Sequence, residues 1–306
     1  MLKIQNLTVR FGTSATPVVE DVSLTLRPGE KTAIIGETGS GKSVMLLSVL
    51  RLLPGSAVVT GQVSLDDQEL LQLPIEKMYD IRGTKIGYIP QCGGTSLNPL
   101  MTIGRQLDEA MRLNKGMKAS QRRQAVIEML RYHRLGDEEK LVRQYPHQLS
   151  GGMRQRVLII MGLCTNAPYV FADEPTKGVD TAYIRLITDT LSNLGDQSLL
   201  CVTHDILFAQ AIADQICVMY AAQQVELGPA EDVFAHPLHP YTQAMIRALP
   251  ENGAQATMGF APPHNEFSQR GCRVYDRCTM RKACCQMPPP MVQVDNRKVR
   301  CWLYAD

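Results

Sequence analysis

The run Gly36-Glu37-Thr38-Gly39-Ser40-Gly41-Lys42-Ser43 has the spacing G-x-x-x-x-G-K-S of a phosphate-binding loop. Its glycines let the backbone curl so that successive N–H groups face anionic oxygens, and a helix starting there adds partial positive charge. Lys42 is spaced to reach the β- and γ-phosphates of a nucleoside triphosphate, and Ser43 to offer a hydroxyl to Mg²⁺. Two carboxylates, Asp173 and Glu174, end the apolar run that starts at Pro168. Asp173 suits a direct or water-mediated hold on Mg²⁺, and Glu174 is placed to polarise a water for attack on the γ-phosphate. Gln91 follows Ile86-Gly87-Tyr88-Ile89-Pro90; its carbonyl oxygen suits Mg²⁺ or a water, and an ordinary polar residue is the competing reading. His204, after Ser198 to Thr203, is either a donor to a phosphate oxygen or a structural histidine. Ser150-Gly151-Gly152 ahead of Val157 to Leu163 reads as a second anion-binding helix start, or simply as a capped one. Phe11, upstream of the loop, could stack on a purine or pack in the core.

The elements that must position these groups are legible in outline. Leu2, Ile4 and Leu7 alternate with Lys3, Gln5 and Asn6, which predicts a half-buried strand over 2–10. Val18 to Leu26 predicts a second strand, and Pro28-Gly29 turns the chain into a buried strand over 31–35. The helix following the phosphate loop covers Val44 to Leu50, and a hairpin strand with its turn covers 61–67. Residues 102–135 show apolar positions three or four apart, which predicts helices, with Gly136 as a C-cap. Buried strands are predicted at 168–173 and 198–203 and closing strands within 216–228. A last helix starts in His236-Pro237-Leu238-His239-Pro240-Tyr241-Thr242 and ends at Pro250.

Composition narrows the classes of function. The net charge is +2, so there is no electrostatic case for general nucleic-acid binding. No apolar run approaches the roughly 20 residues that cross a membrane, and the N-terminus lacks a signal peptide's apolar core, so a soluble cytoplasmic protein is expected. Of nine cysteines, Cys92, Cys164, Cys201 and Cys217 are scattered, whereas Cys272, Cys278, Cys284, Cys285 and Cys301 crowd the C-terminus. In a reducing compartment that crowding points to metal or to nothing.

The order of these motifs resembles that of ATP-binding cassette (ABC) ATPases over nearly the whole chain. Leu149-Ser150-Gly151-Gly152-Met153-Arg154-Gln155-Arg156 looks like the family signature, Gln91 falls at the Q-loop, Asp180 at the D-loop aspartate and His204 at the switch histidine. Core packing is the commoner fate of such a residue, but Phe11 falls at the family's adenine-stacking aromatic, which favours stacking. The resemblance implies an α/β P-loop fold with a RecA-like core sheet, an antiparallel β subdomain and a helical signature subdomain at about 97–165. It implies an ATPase domain over 1–250 and a cysteine-rich extension over 251–306. It further implies ATP and Mg²⁺ as ligands, and a head-to-tail dimer in which Leu149, Ser150, Gly151, Gly152 and Gln155 face the partner's nucleotide.

Within the family the chain resembles the ATPase subunits of dipeptide, oligopeptide and nickel importers. Ser96-Leu97-Asn98-Pro99, the His236–Thr242 motif and the cysteine tail carry this. The implied partners are two transmembrane permease subunits, a second ATPase chain and, indirectly, an extracytoplasmic binding protein, with the chain at the cytoplasmic face of the membrane and no nucleic acid. The segment after Gln91 and residues 100–165 are expected to meet the permeases. One departure is Glu174-Pro175-Thr176-Lys177-Gly178-Val179-Asp180, where such proteins usually read Glu-Pro-Thr-Thr-Ala-Leu-Asp. Cys272-x5-Cys278-x6-Cys285-x15-Cys301 gives four thiolates that suit a 4Fe–4S cluster, with zinc or no metal as alternatives. Two rival functions are a soluble ABC ATPase acting on DNA or ribosomes, and a metal or redox sensor; absent coiled coils and the complete hydrolytic set disfavour them.

Overall fold

The computed structural model describes residues 1–12, 16–91, 96–113, 116–253, 259, 261–267 and 270–305. The expected Cys92 and the start of the segment after Gln91 lie outside them. In chain order the strands are β1 (Leu2–Phe11), β2 (Val19–Leu26), β3 (Lys31–Ile35), β4 (Ala57–Leu65), β5 (Gln68–Glu69), β6 (Ile86–Ile89), β7 (Tyr169–Asp173), β8 (Ser198–Thr203), β9 (Gln215–Tyr220), β10 (Gln223–Pro229), β11 (Met291–Val294) and β12 (Arg297–Arg300). The helices are α1 (Lys42–Val49), α2 (Ile75–Ile81), α3 (Ile103–Met111), α4 (Ala119–Tyr132), α5 (Glu138–Leu141), α6 (Gly151–Leu163), α7 (Thr181–Ser192), α8 (Ile206–Ile212), α9 (Ala230–Ala235) and α10 (Pro240–Arg247). They form two units, Met1–Leu73 with Val202–Asp306, and Pro74–Cys201.

In the first unit, β1 pairs antiparallel with β2 and β4, and β4 with β5. Apolar side chains of β1 and β2 such as Leu2, Ile4, Leu7, Val22 and Leu24 point inward, as their alternation requires. The turn between β4 and β5 uses Asp66 and Asp67, both at positive φ, a conformation short acidic side chains tolerate. Strand β10 pairs parallel with β2 and antiparallel with β9, and β9 runs parallel to β3. Their core joins Ile35, Ile216, Val218, Tyr220 and Val225 to Val233, Tyr241, Phe267 and Val274. The C-terminal tail holds an element that periodicity did not reveal. Strands β11 and β12 form a hairpin, and β12 adds to β10 through Glu226↔Val299 and Leu227↔Lys298.

In the second unit, β6 and β7 are parallel neighbours in the register Ile86↔Tyr169 to Ile89↔Ala172. Helix α6 lies close on β6, since a Cβ added at Gly87 would stand 2.4 Å from the Gly162 carbonyl oxygen. Helices α3, α4 and α6 share a core of Ile103, Leu107, Val126, Leu130, Val157 and Ile160. Helix α4 stops at Tyr132 with His133 as its cap, so Gly136 lies beyond it, in the turn before α5.

Asp108 ties α3 to α4: Arg122 donates to it at 2.7 Å, and Arg112 pairs with it at 3.0 Å. The Arg122 hydrogen bond leads in holding its carboxyl below the ordinary carboxylate value. A depressed folded pKa stabilises above the unfolded value, about 3.9, and the gain is lost as pH falls through the folded one. Asp108→Asn is therefore expected to cost about 1 kcal/mol or less at pH 7. In thermal melts against pH, the gap from the native chain should close as pH falls through the lowered value of this carboxyl.

Candidate nucleotide site

In the first unit, the phosphate loop joins β3 to α1 through Gly36, at φ +151, and Gly41, at φ +95. A Cβ at Gly36 would stand 2.0 Å from the Met219 carbonyl oxygen, and one at Gly41 2.2 Å from that of Val18. Both positions therefore exclude side chains on two counts, backbone angle and space. Lys42 is 5% exposed, and its Nζ donates to the carbonyl oxygens of Gly36 at 2.7 Å and Glu37 at 2.9 Å, with Ser40 Oγ at 3.4 Å. The ammonium is thus curled into its own loop, along with Thr38 and Gly39 in the turn between. Ser43 occupies the first turn of α1. Phe11 ends β1, half-buried, paired with Ala57. His204 is exposed just past β8, and Asp205 caps α8 by accepting from the Phe208 N–H at 3.0 Å.

In the second unit, Asp173 ends β7 at 4% exposure and Glu174 follows at 8%. Glu174 has φ +49, in the left-handed region that costs a non-glycine residue about 1 kcal/mol or more. Because β6 and β7 run parallel, Gln91 and Glu174 both lie just past the C-terminal ends of neighbouring strands. Ser150 caps α6, its Oγ accepting from the Met153 N–H at 3.2 Å, and Ser150 and Gly151 are exposed. A Cβ at Gly152 would lie 3.9 Å from Asp180 Oδ2, so the signature helix start adjoins the D-loop. Leu149 is buried, and Gln155 is fully buried with neither amide atom hydrogen-bonded among the described residues. Arg156 was given no role by sequence reasoning. It donates to the carbonyl oxygens of His133 at 2.9 Å and Arg134 at 2.8 Å and covers the Tyr183 ring at 3.7 Å, tying α6 to the end of α4 and to α7.

Ser96-Leu97-Asn98-Pro99 is shaped by buried Gln106. Its Oε1 accepts from the Asn98 N–H at 2.9 Å, and its Nε2 donates to the Asn98 and Met101 carbonyls at 3.0 Å. That turn leaves Leu100 85% exposed.

The His236–Thr242 motif is organised by Glu226, which is fully buried and accepts the N–H groups of Leu238 and His239, each at 2.9 Å. His239 Nδ1 then caps α10 by accepting from the Tyr241 N–H at 3.0 Å; burial pushes its pKa down to about 4, so the ring is neutral at pH 7. His239 also lines a small cavity with Cys272, Cys278, Cys285 and Cys301. The expected four thiols therefore converge. Burial pushes the Cys272 thiol up to about 11, with neighbouring thiols adding to the rise and a hydrogen bond to the Val274 backbone opposing it, so it is protonated at neutral pH. Among the described residues no group of three or more His, Cys, Asp or Glu side chains is arranged to hold a metal ion. The convergence suits the donor chemistry of a thiolate-bound group, but the spacing as it stands is not that of a metal site.

The fold and loop define a P-loop ATPase of the cassette type. The family profile described as ABC transporter matches residues 19–177, and the profile described as the C-terminal region of oligopeptide/dipeptide transporters matches 225–285. The chain is 37% identical to the dipeptide transport ATP-binding protein DppD of Bacillus subtilis, over 99% of this chain and 94% of the relative. It is 35% identical to the oligopeptide transport ATP-binding protein OppD of Salmonella typhimurium, over 98% and 92%. Among solved structures, the cassette MJ0796 in a dimeric post-hydrolysis state with ADP and Pi matches with TM-score 0.66 and 28% identity, over 75% of this chain and 99% of that one. The chain belongs to the ABC transporter ATPase family and is an ATP-binding, ATP-hydrolysing transporter subunit. Among the described residues no helix is long and apolar enough to cross a membrane.

Proposed function

We propose that this chain energises an importer of di- or oligopeptides, as a peripheral subunit on the cytoplasmic face of the membrane. The match of residues 225–285 to the oligopeptide/dipeptide transporter C-terminal region carries this reading. Nickel is the second cargo class the sequence resemblance admits, and nothing further favours it. The division into an ATPase part over 1–250 and an extension over 251–306 is part of the same proposal.

In this reading Lys42 and Ser43 hold the triphosphate and its Mg²⁺, with Gln91 and Asp173 beside the ion, and Phe11 faces the adenine. Glu174 takes the proton of the attacking water, and His204 donates to the γ-phosphate. The start of α6 supports a dimer. Ser150 and Gly151 are exposed at the start of α6, the end of a helix whose dipole favours a second chain's γ-phosphate. ATP then closes two chains head to tail, and hydrolysis removes the charge that holds them. The second chain is a related ATPase or another copy, and two permease subunits and an extracytoplasmic binding protein complete the system. Leu100, 85% exposed, lies in the segment expected to meet the permeases and is the residue on which that contact is tested. Leu100→Asp is expected to cut uptake about tenfold or more while sparing ATP binding by the purified chain. Native uptake would remove the turn from the contact.

The four converging thiols are candidate ligands of a 4Fe–4S cluster, with zinc as the competing occupant. Iron and acid-labile sulfide in anaerobically purified protein would support the cluster; their absence with zinc present would exclude it. The function itself is tested by uptake of a labelled dipeptide and of labelled nickel in parallel, in cells carrying the native or the Glu174→Gln chain. Loss of dipeptide uptake alone is the expected result, and loss of nickel uptake alone would overturn the cargo assignment.

A further inference from the structure

The phosphate loop is gripped from outside by the C-terminal region. The Glu37 N–H donates to Tyr241 Oη at 3.2 Å. The Glu37 carboxylate receives Arg277 in a two-pronged pair, Nη1 to Oε2 at 3.0 Å and Nη2 to Oε1 at 2.8 Å, and the Ala261 N–H reaches Oε2 at 3.0 Å. Arg277 is itself confined, its guanidinium 5.3 Å from the Tyr220 ring centroid and 5.8 Å from that of Tyr241. Those two rings pack at 4.6 Å. The remaining polar group of Glu37, its carbonyl oxygen, accepts from Lys42 Nζ. Glu37 therefore links the Lys42 ammonium, through its carbonyl oxygen, to Tyr241 of α10 and to Ala261 and Arg277 of the tail.

The tail side of this connection begins at the cysteines. Arg277 immediately precedes Cys278, and Tyr241 sits two residues after His239, which lines the four-cysteine cavity. A planar, forked guanidinium fixes both oxygens of a carboxylate, which a lysine cannot do. A loop held in its binding shape loses less freedom when the nucleotide arrives.

We propose that Arg277 is a positioning residue for ATP binding, holding Glu37 so that the phosphate loop is preformed only while the cysteine tail is docked. Nucleotide affinity is thereby coupled to the state of the tail, a role distinct from the permease and dimer contacts.

The test is the affinity of the full-length chain for a non-hydrolysable ATP analogue with Mg²⁺. Arg277→Ala and Glu37→Ala are each expected to weaken binding about tenfold, and the double variant to be no weaker than either single one. Arg277→Lys should recover only part of the loss. In the assembled transporter the Arg277→Ala defect should fall on KM for ATP rather than on kcat. Arg300→Ala serves as the comparison, because Arg300 docks the tail on Asp21 at 2.8 Å and on the Gln224 carbonyl at 3.1 Å, not on the phosphate loop. It should lower the melting temperature and leave the affinity near native. Native affinity in Arg277→Ala, additive losses in the double variant, or an equal loss in Arg300→Ala would overturn the proposal. Because the inference rests on the loop's binding nucleotide, Lys42→Ala is run alongside; if that variant keeps native affinity, it is the loop assignment that fails.

Discussion

Glu174→Gln, in the assembled transporter, is expected to bind ATP with near-native affinity and to lose turnover by about 10²–10⁴-fold. The side chain follows β7 directly, 8% exposed, on a backbone held at φ +49. A strand buried along its whole length fixes where that carboxylate starts, and the left-handed residue sets the direction in which it leaves. Such a conformation costs energy that a plain turn would avoid, and it persists because the surrounding packing holds it. Glutamine keeps the size and hydrogen-bonding reach but has no basic oxygen for the water's proton. Binding should survive, since the phosphates are held elsewhere, and the closed dimer should accumulate. Steady-state phosphate release, with nucleotide retention on a size-exclusion column, measures both halves. Near-normal turnover would remove Glu174 from the role of base.

Lys42→Ala is expected to weaken ATP binding on the order of a hundredfold, as two charge-assisted contacts are lost together. The ammonium donates to the Gly36 and Glu37 carbonyls. Phosphate oxygens have to compete with those carbonyls, and they do so by charge, which the neutral loop oxygens lack. Alanine removes that charge and also the internal brace of the loop. Without nucleotide, the melting temperature should fall by only a few degrees, because the glycine packing against Met219 and Val18 does not involve the lysine. Calorimetric titration and a thermal melt separate the two effects. A melting temperature far below native with unchanged affinity per folded molecule would make Lys42 a structural residue.

The groups legible in the sequence are those whose neighbours are local. Gly36 to Ser43 is a strand, a turn and a helix start in one short segment, so residue types alone dictate its backbone. Asp173 and Glu174 close an apolar strand for the same reason, and Ser150 caps the helix it precedes. Gly136 misled because glycine marks a break in the chain without saying which break; α4 had already ended at Tyr132.

Long-range contacts were not legible in that way. Arg277 meets Glu37 across 240 positions of chain, and no spacing rule relates them. The hairpin of β11 and β12 is short and mixed in polarity, and it becomes a sheet element only because β10 offers Glu226 and Leu227 as partners. His239 could be seen as part of a motif, yet its neutrality and its place beside four cysteines follow from burial. The nucleotide chemistry can be read from residue order alone, because it is written in contiguous backbone. The grip of the C-terminal region on the phosphate loop emerges only in the folded chain, because it depends on side chains that folding brings together.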